Sequence, residues 1–197
     1  MEELVEKLKK TEHGFQRIIE AGNQLLENRA LHHFDIAIEL LGEEIYQARM
    51  LATYLLGQLS AQNKKALTIL QKKIGKDENW RVQEMLAKAF DHYCKTTGYR
   101  QSLPLIRKWL SDKSPNIKRA VIEGLRIWTG RPYFRENPAI AIKLISKHKS
   151  DNSEYVRKSV GNALRDIRKK HKELVESEIA NWDLSNSNTA YTRKKIG

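Results

Sequence analysis

The chain has 197 residues, with 36 Lys or Arg against 24 Asp or Glu, so its formal net charge is +12. Only 4 prolines and 10 glycines occur, which disfavours a barrel or sandwich of short strands and predicts an all-α fold. No apolar run approaches the roughly 18 residues that a membrane span needs, and the amino-terminal MEELVEKLKK is charged where a signal peptide is apolar. We therefore expect a cytoplasmic protein whose residues 1–197 form one domain. We also expect it to act as a monomer and without a membrane partner.

Cysteine and histidine give no indication of a metal or redox site. Cys94 is the only cysteine, which excludes a disulfide within the chain, and no Cys/His cluster has zinc-ligand spacing. The histidines have no partners at spacings typical of metal or nucleophilic chemistry. The sequence thus predicts no metal and no other cofactor.

Positive charge is concentrated after residue 60. Residues 1–60 contain 6 Lys/Arg and 10 Asp/Glu, whereas residues 61–197 contain 30 and 14. A segment this basic is typical of a protein with a polyanionic partner, nucleic acid first and an anionic membrane surface second. A basic surface that is merely solvated is the remaining alternative.

In chain order, a nine-residue helical pattern occurs four times. The segments are YQARMLATY at 46–54, VQEMLAKAF at 82–90, IKRAVIEGL at 117–125 and VRKSVGNAL at 156–164, with starts 36, 35 and 39 residues apart. In the last three, positions 1, 4, 5, 8 and 9 are apolar or small, the spacing of a helix that buries one face. We therefore predict a helix in each segment.

A second helical stretch precedes each later repeat, at 64–74, 103–110 and 139–148, and polar turns such as SDKSPN and KSDNS join the two. Two helices per unit and a period in the high thirties are typical of HEAT-like or armadillo-like solenoids. We expect a right-handed α-α superhelix, a curved solenoid with the second helices near 44–58, 80–93, 115–128 and 154–170. These helices would line a basic concave groove.

Positions 3 and 7 of each repeat point away from the apolar face, because successive helical residues turn by about 100°. Position 11 lies at the edge of the same polar face. Three carboxylates occupy such positions among many cations: Glu84, Glu123 and Asp166. Carboxylates would be repelled by DNA phosphates, so their presence indicates that something cationic is accommodated there.

Three motifs resemble the bacterial HEAT-like alkylpurine DNA glycosylases of the AlkC and AlkD type. WRVQE at 80–84 looks like the family's tryptophan followed four residues later by its catalytic acid, and IKRAVIEGLR with RPYF places Arg119 at the family's phosphate-binding arginine. DNSEYVRKSVGNALRDIRKKH is similar to the AlkC stretch with an Asn and an Asp four residues apart, here Asn162 and Asp166. Where the AlkD branch has a lesion-contacting tryptophan this chain has Asn162, so the resemblance implies AlkC-type contacts.

The resemblance implies a monofunctional glycosylase that excises cationic alkylated bases, such as 3-methyladenine, from double-stranded DNA without a metal. Glu84 is the expected principal catalyst, with Glu123 and Asp166 framing the pocket. A carboxylate opposes the developing positive charge of the sugar and accepts a proton from water. A solvated helix residue is the alternative for Glu84, and ion pairs with Arg119, Arg126 or Arg165 are the alternative for the other two.

Aromatic and basic residues complete the predicted interface. The expected contacts to the lesion or its base are Trp80, Asn162, Trp128, Tyr133 and Phe134, with core packing as the competing interpretation of the aromatic residues. The expected phosphate contacts are Arg119, Lys118, Arg157, Lys158, Arg126 and Arg165, extended by the run RKKHK at 168–172. Trp109 and Trp182 are expected in the core.

Two other functions remain open: a non-catalytic binder of damaged or branched DNA, and a HEAT-type protein-interaction scaffold.

Overall fold

The computed structural model describes residues 2–10 and 14–197, and every regular element in this part of the chain is helical. The amino-terminal helices are α1 (Glu2–Lys9), α2 (Phe15–Glu27), α3 (His33–Leu41), α4 (Tyr46–Leu59), α5 (Lys64–Lys72), which is followed by a 3-10 turn (Ile74–Lys76), and α6 (Trp80–Thr97). The remaining helices are α7 (Leu103–Leu110), α8 (Pro115–Trp128), α9 (Pro132–Glu136), α10 (Pro138–Ser146), α11 (Glu154–Arg168), α12 (Lys172–Ala180) and α13 (Ser187–Ile196). The predicted all-α fold is confirmed.

The four repeat segments all lie within helices, namely α4, α6, α8 and α11. In the last three, every residue at positions 1, 4, 5, 8 and 9 is buried, as the apolar pattern predicts. Positions 3 and 7 of these helices are half-buried or exposed. The pattern thus identifies correctly which side of each helix faces a core.

Proline and short polar side chains fix where several helices begin. Pro115 is the first residue of α8, and the Ser114 hydroxyl accepts a hydrogen bond from the Ile117 amide at 3.5 Å. Asn63 caps α5 by accepting from two amides of its first turn. Such caps satisfy amide groups that have no partner within the helix, so these turns set the register of the helix that follows.

The helices form two compact units, residues 1–97 and residues 98–197. In the first unit α4 is central and packs against α2, α3, α5 and α6. In the second unit α8 and α11 pack against each other, α8 also contacts α7, α9 and α10, and α11 also contacts α10, α12 and α13. That residues 1–197 behave as one domain stays a prediction.

Two glycines permit close approach of neighbouring helices. A Cβ atom at Gly57 of α4 would lie 2.6 Å from the Cβ of Ala89 on α6. A Cβ atom at Gly161 of α11 would lie 2.3 Å from the Cβ of Lys195 on α13 and 3.1 Å from the Thr192 carbonyl oxygen. Both helix pairs are therefore packed at a distance that only glycine allows.

Candidate nucleic-acid interface

The net positive charge belongs entirely to the second unit. Residues 98–197 contain 22 Lys/Arg and 10 Asp/Glu, whereas residues 1–97 contain 14 of each. A formal charge of +12 on about half of the chain attracts polyanions over distances of a Debye length, about 8 Å at physiological salt. The second unit is thus the candidate surface for contact with a phosphate backbone.

Two of the predicted phosphate contacts lie at the accessible face of this unit. The Arg119 guanidinium on α8 lies over the ring of Tyr155 on α11, 5.2 Å from the ring centroid. Lys158, one turn further along α11, is exposed and pairs with Glu154 at 2.9 Å. An exposed ion pair of this kind is weak, so a phosphate can compete for the Lys158 ammonium.

Lys118 and Arg157, by contrast, are used to hold the turn before α11. Lys118 Nζ lies 2.6 Å from the Asp151 carboxylate, and these two side chains are only 16% and 9% exposed. Arg157 donates through one terminal nitrogen to the backbone carbonyls of Asp151 and Asn152, at 2.6 and 3.0 Å. Their cationic groups link α8 and α11 to one turn, and the expectation that both residues contact phosphates stays a prediction.

Asp151 belongs to a repeated structural feature that the sequence analysis missed. Asp77, Asp112 and Asp151 each lie five residues before the start of a repeat segment. Each carboxylate accepts a hydrogen bond from the backbone amide two residues later, at 2.8, 2.9 and 2.9 Å respectively. Asp77 also pairs with Arg49 of the preceding repeat segment at 2.6 Å. Their constant spacing of five residues from the start of the repeat segment is a sequence pattern from which these aspartates could have been predicted.

Glu123 and Asp166 meet around a single guanidinium. Arg126 lies 3.1 Å from the Glu123 carboxylate and 3.2 Å from that of Asp166, and Lys169 lies 2.9 Å from Asp166. The hydrogen bond from Lys169, with the nearby arginines, lowers the pKa of Asp166 despite some opposing desolvation. Asp166 is therefore ionised at neutral pH. Glu123 and Asp166 thus form ion pairs with Arg126, which was the alternative interpretation of these two carboxylates.

A shallow cleft opens beside this ion-pair cluster, between the carboxyl-terminal ends of α8 and α11. It has room of about 350 Å³ and is lined by Arg126, Ile127, Thr129, Gly130, Asp166, Ile167, Lys169 and Lys170. Three of these eight residues are cationic and one is anionic. The cleft therefore presents a net positive charge to solvent.

Glu84 and Trp80 lie one helical turn apart at the start of α6, in the first unit. Glu84 is half-buried, and the Trp80 indole is 56% exposed, which excludes it from the core. The Arg81 guanidinium lies 4.5 Å from the Trp80 ring centroid and 5.2 Å from that of Tyr46. A cation already occupies a face of this indole, and a ligand stacking on that face would have to displace it.

The predicted aromatic edge is wrong for two of its three residues. Trp128 and Phe134 are fully buried, and their ring centroids are 5.8 Å apart. Tyr99 completes the cluster at 5.3 Å from Trp128 and 5.9 Å from Phe134. The Trp128 ring fills the space above Gly124, where a Cβ atom would lie 2.5 Å from it. These rings pack the core, because only there is their large apolar area removed from water.

The remaining predicted contact and core residues are Tyr133, Asn162, Arg165, Trp109 and Trp182. Tyr133 is half-buried against Phe134, with ring centroids 5.1 Å apart, and Asn162 and Arg165 are exposed on α11. Trp109 and Trp182 are buried, as predicted. Trp182 donates its indole N–H to the Ser146 hydroxyl at 3.0 Å.

In residues 2–10 and 14–197, no three His, Cys, Asp or Glu side chains are placed to hold a metal ion together. Over the same residues, no helix combines the length and apolar character that crossing a membrane requires.

The class of protein follows from comparison with known families. A family model described as DNA alkylation repair enzyme matches residues 18–194. The chain belongs to this family.

Two solved structures are similar to this chain. AlkD2 from Streptococcus mutans is 44% identical to this chain, with a TM-score of 0.94 over 98% of this chain and 94% of that one. Alkylpurine DNA glycosylase AlkC of Pseudomonas fluorescens, solved with DNA containing an abasic site analog, is 21% identical, with a TM-score of 0.52 over 92% of this chain and 60% of that one. The likeness to AlkC shows the fold alone, so the AlkC resemblance in detail depends on the short motifs around Glu123 and Asn162.

A shorter match concerns YhaZ of Bacillus subtilis (strain 168), an uncharacterized protein. It is 33% identical over 78 residues, which is 38% of this chain and 22% of YhaZ. The chain thus spans about a fifth of the length of this curated relative.

Proposed function

We propose that this protein acts in DNA alkylation repair as a monofunctional glycosylase that hydrolyses the N-glycosidic bond of cationic alkylated bases, such as 3-methyladenine, in double-stranded DNA. The observation that carries the proposal is the half-buried Glu84 carboxylate one turn after the exposed Trp80, within the family's motif. Membership of the DNA alkylation repair family supports it. So does the similar AlkC structure, which contains DNA.

The chemistry requires little more than one well-placed carboxylate. A base alkylated at N3 or N7 carries a positive charge and leaves without a strong general acid. Glu84 opposes the positive charge that develops on the sugar and accepts a proton from the attacking water. Each 1.36 kcal/mol of such stabilisation is worth a factor of ten in rate. Glu123 and Asp166, which pair with Arg126, are not needed as further bases.

Phosphate binding is proposed for the accessible cations of the second unit. Arg119, Lys158 and Arg165 are half-buried or exposed there, and Arg126 borders the cleft at the ends of α8 and α11. Their contacts fix the position of the duplex without reading its sequence. The protein is proposed to act as a monomer on chromosomal DNA, and therefore in the cytoplasm.

Base release from methylated duplex DNA tests the enzymatic proposal. The wild type should release N-methylated purines, and Glu84→Gln should abolish release while leaving DNA binding intact, because glutamine preserves size but not charge. Glu78→Gln is the matched control, since Glu78 is an exposed acid in the turn before α6. Unchanged release by Glu84→Gln contradicts the assignment of Glu84.

A second candidate function is binding of damaged or branched DNA without excision. Two observations favour it: Glu123 and Asp166 are held by Arg126, and Arg81 occupies a face of Trp80. This function predicts binding that weakens steeply with salt but no released base from the wild type. The same assay therefore separates the two functions.

A further inference from the structure

Two basic segments that are distant in the sequence meet at one end of the second unit. The first, residues 168–172, joins α11 to α12, and the second, residues 193–195, lies in the last turn of α13. Arg168 and Arg193 each donate through one terminal nitrogen to the same carbonyl oxygen, that of Gly197, at 3.1 and 3.2 Å. Because they share this acceptor, the two basic segments lie beside each other.

The packing of α13 against α11 leads to the same placement. The Tyr191 hydroxyl donates to Glu154, in the first turn of α11, at 2.9 Å. Two turns further along α11, Gly161 lies against Lys195 of α13. Residues later in α11 thus meet residues later in α13, so the two helices run parallel and their basic ends coincide.

Half of the net charge of the second unit lies at this end. Residues 165–173 and 193–197 contain 8 Lys/Arg and 2 Asp/Glu, a formal charge of +6, against +12 for residues 98–197. Like charges at this density repel one another. A polyanion that binds here removes the repulsion and releases its own counterions, which favours association.

The cations at this end divide into structural contacts and exposed ammonium groups. Arg168 pairs with Glu176, and Lys169 pairs with Asp166 at 2.9 Å although its own side chain is 71% exposed. Within residues 2–10 and 14–197, three further exposed lysines form no ion pair, namely Lys170, Lys172 and Lys194. A ligand reaches these three ammonium groups without breaking an ion pair of the protein. We call Lys169, Lys170, Lys172 and Lys194 the α11–α13 basic surface.

This surface is separate from the phosphate contacts that were proposed above. Lys158 and Lys169 are both exposed on α11, and the 11 steps between them (169 − 158) span about 16 Å of helix. A duplex carries one negative charge per about 1.7 Å of its axis. Lys158 and the basic surface would therefore contact different phosphates, and their contributions to affinity are independent.

The apolar residues of these segments favour a duplex over an anionic membrane as the polyanion. A helix that binds a membrane surface inserts an apolar face into the lipid. Ile167 and Ile196 are buried, and Leu174, just beyond the first segment, is 42% exposed. One partly exposed leucine provides too little apolar area for insertion, so the surface is suited to a phosphate backbone.

We propose that the α11–α13 basic surface binds the backbone of duplex DNA, as a second contact region in addition to the cations around Arg119 and Lys158. The inference rests on the proposed function in one respect, that DNA is the partner. The contacts are to phosphates, so they strengthen binding to any duplex sequence equally. Their role is to hold the substrate, and the excision chemistry is left to Glu84.

The test compares two triple variants by their affinity for a fluorescent duplex of 20 base pairs, measured by anisotropy at several salt concentrations. The first replaces Lys170, Lys172 and Lys194 by glutamine. It should weaken binding at least about tenfold at 0.1 M salt and reduce the magnitude of the salt slope by about 2.7, which is about 0.9 for each phosphate contact. Circular dichroism should show unchanged folding, since all three side chains are exposed.

The second variant is the matched control and replaces Lys64, Lys65 and Lys72, three exposed lysines of α5 in the first unit. It removes the same charge, so it reports the loss of general attraction between protein and DNA. The control should change affinity and salt slope far less than the first variant. Equal changes in the two variants would overturn the inference.

Vesicles that contain phosphatidylserine distinguish the two polyanions. If the first variant binds duplex like the wild type but no longer sediments with these vesicles, the surface serves a membrane and the inference is wrong. Failure of the proposed function has a different result: a wild type that binds duplex but releases no methylated base contradicts the glycosylase. The comparison of the two triple variants is unaffected by that result, because it measures binding alone.

Discussion

Replacing Asp151 by asparagine removes the charge from the buried ion pair that links α8 to the turn before α11. Asp151 lies 2.6 Å from Lys118 Nζ and accepts the Ser153 amide at 2.9 Å. Asparagine keeps the shape and can still accept from Ser153, so the change isolates the charge. Lys118 is left 16% exposed without its partner, and breaking a buried pair in this way costs about 3 kcal/mol of the free energy of unfolding.

Urea unfolding followed by circular dichroism at 222 nm measures this loss. Glu154→Gln is the matched control, because Glu154 pairs with Lys158 at a similar distance of 2.9 Å but both side chains are more than half exposed. The control should lose little, since water and salt screen an exposed pair. If Asp151→Asn unfolds at the same urea concentration as Glu154→Gln, the turn before α11 is not held by this ion pair.

Three further predictions concern stability. Gly57→Ala should cost about 1–3 kcal/mol in urea unfolding, because its Cβ would lie 2.6 Å from Ala89. Gly130→Ala, whose Cβ meets nothing closer than 3.5 Å, should cost far less, and equal losses would contradict the close packing. Trp128→Leu should lose about 3 kcal/mol in the same assay, whereas an unchanged midpoint would refute the burial of this ring. Burial lowers the pKa of His148, so the unfolded chain binds the proton more tightly and stability should fall below about pH 6.5. His148→Gln should reduce this loss between pH 7 and pH 5, and an identical pH dependence would contradict it.

Helix positions could be predicted well from the sequence because they depend on local chemistry. The apolar spacing of 117–125 and 156–164, with Pro115 before the former, sufficed to place α8 and α11 and to choose their buried faces. The end of α6 was less predictable: it continues to Thr97, four residues beyond the expected boundary. No glycine or proline lies in that stretch to indicate where the helix ends.

Side-chain partners were harder to predict because they depend on contacts between repeats. Lys118 and Asp151 are 33 positions apart, and nothing local to Lys118 distinguishes it from a lysine that is free to bind phosphate. The inward direction of Trp128 depends on the absence of a side chain at Gly124. A helical wheel shows which face of a helix a residue occupies, but it does not show which side chain of a neighbouring helix contacts that residue. The polar face of each helix was therefore predicted, and the division of its cations between structural and exposed roles was not.

Single-turnover release of the base from a duplex with one 3-methyladenine, with protein in excess, tests the central claim most directly. The account predicts release at least about 100-fold faster than spontaneous loss of the same base, the lower range for a positioned general base. It also predicts that Glu84→Gln, at a concentration that saturates the duplex, returns the rate to the spontaneous value. Release by the saturating wild type at the spontaneous rate would contradict the claim and leave DNA binding without excision as the function.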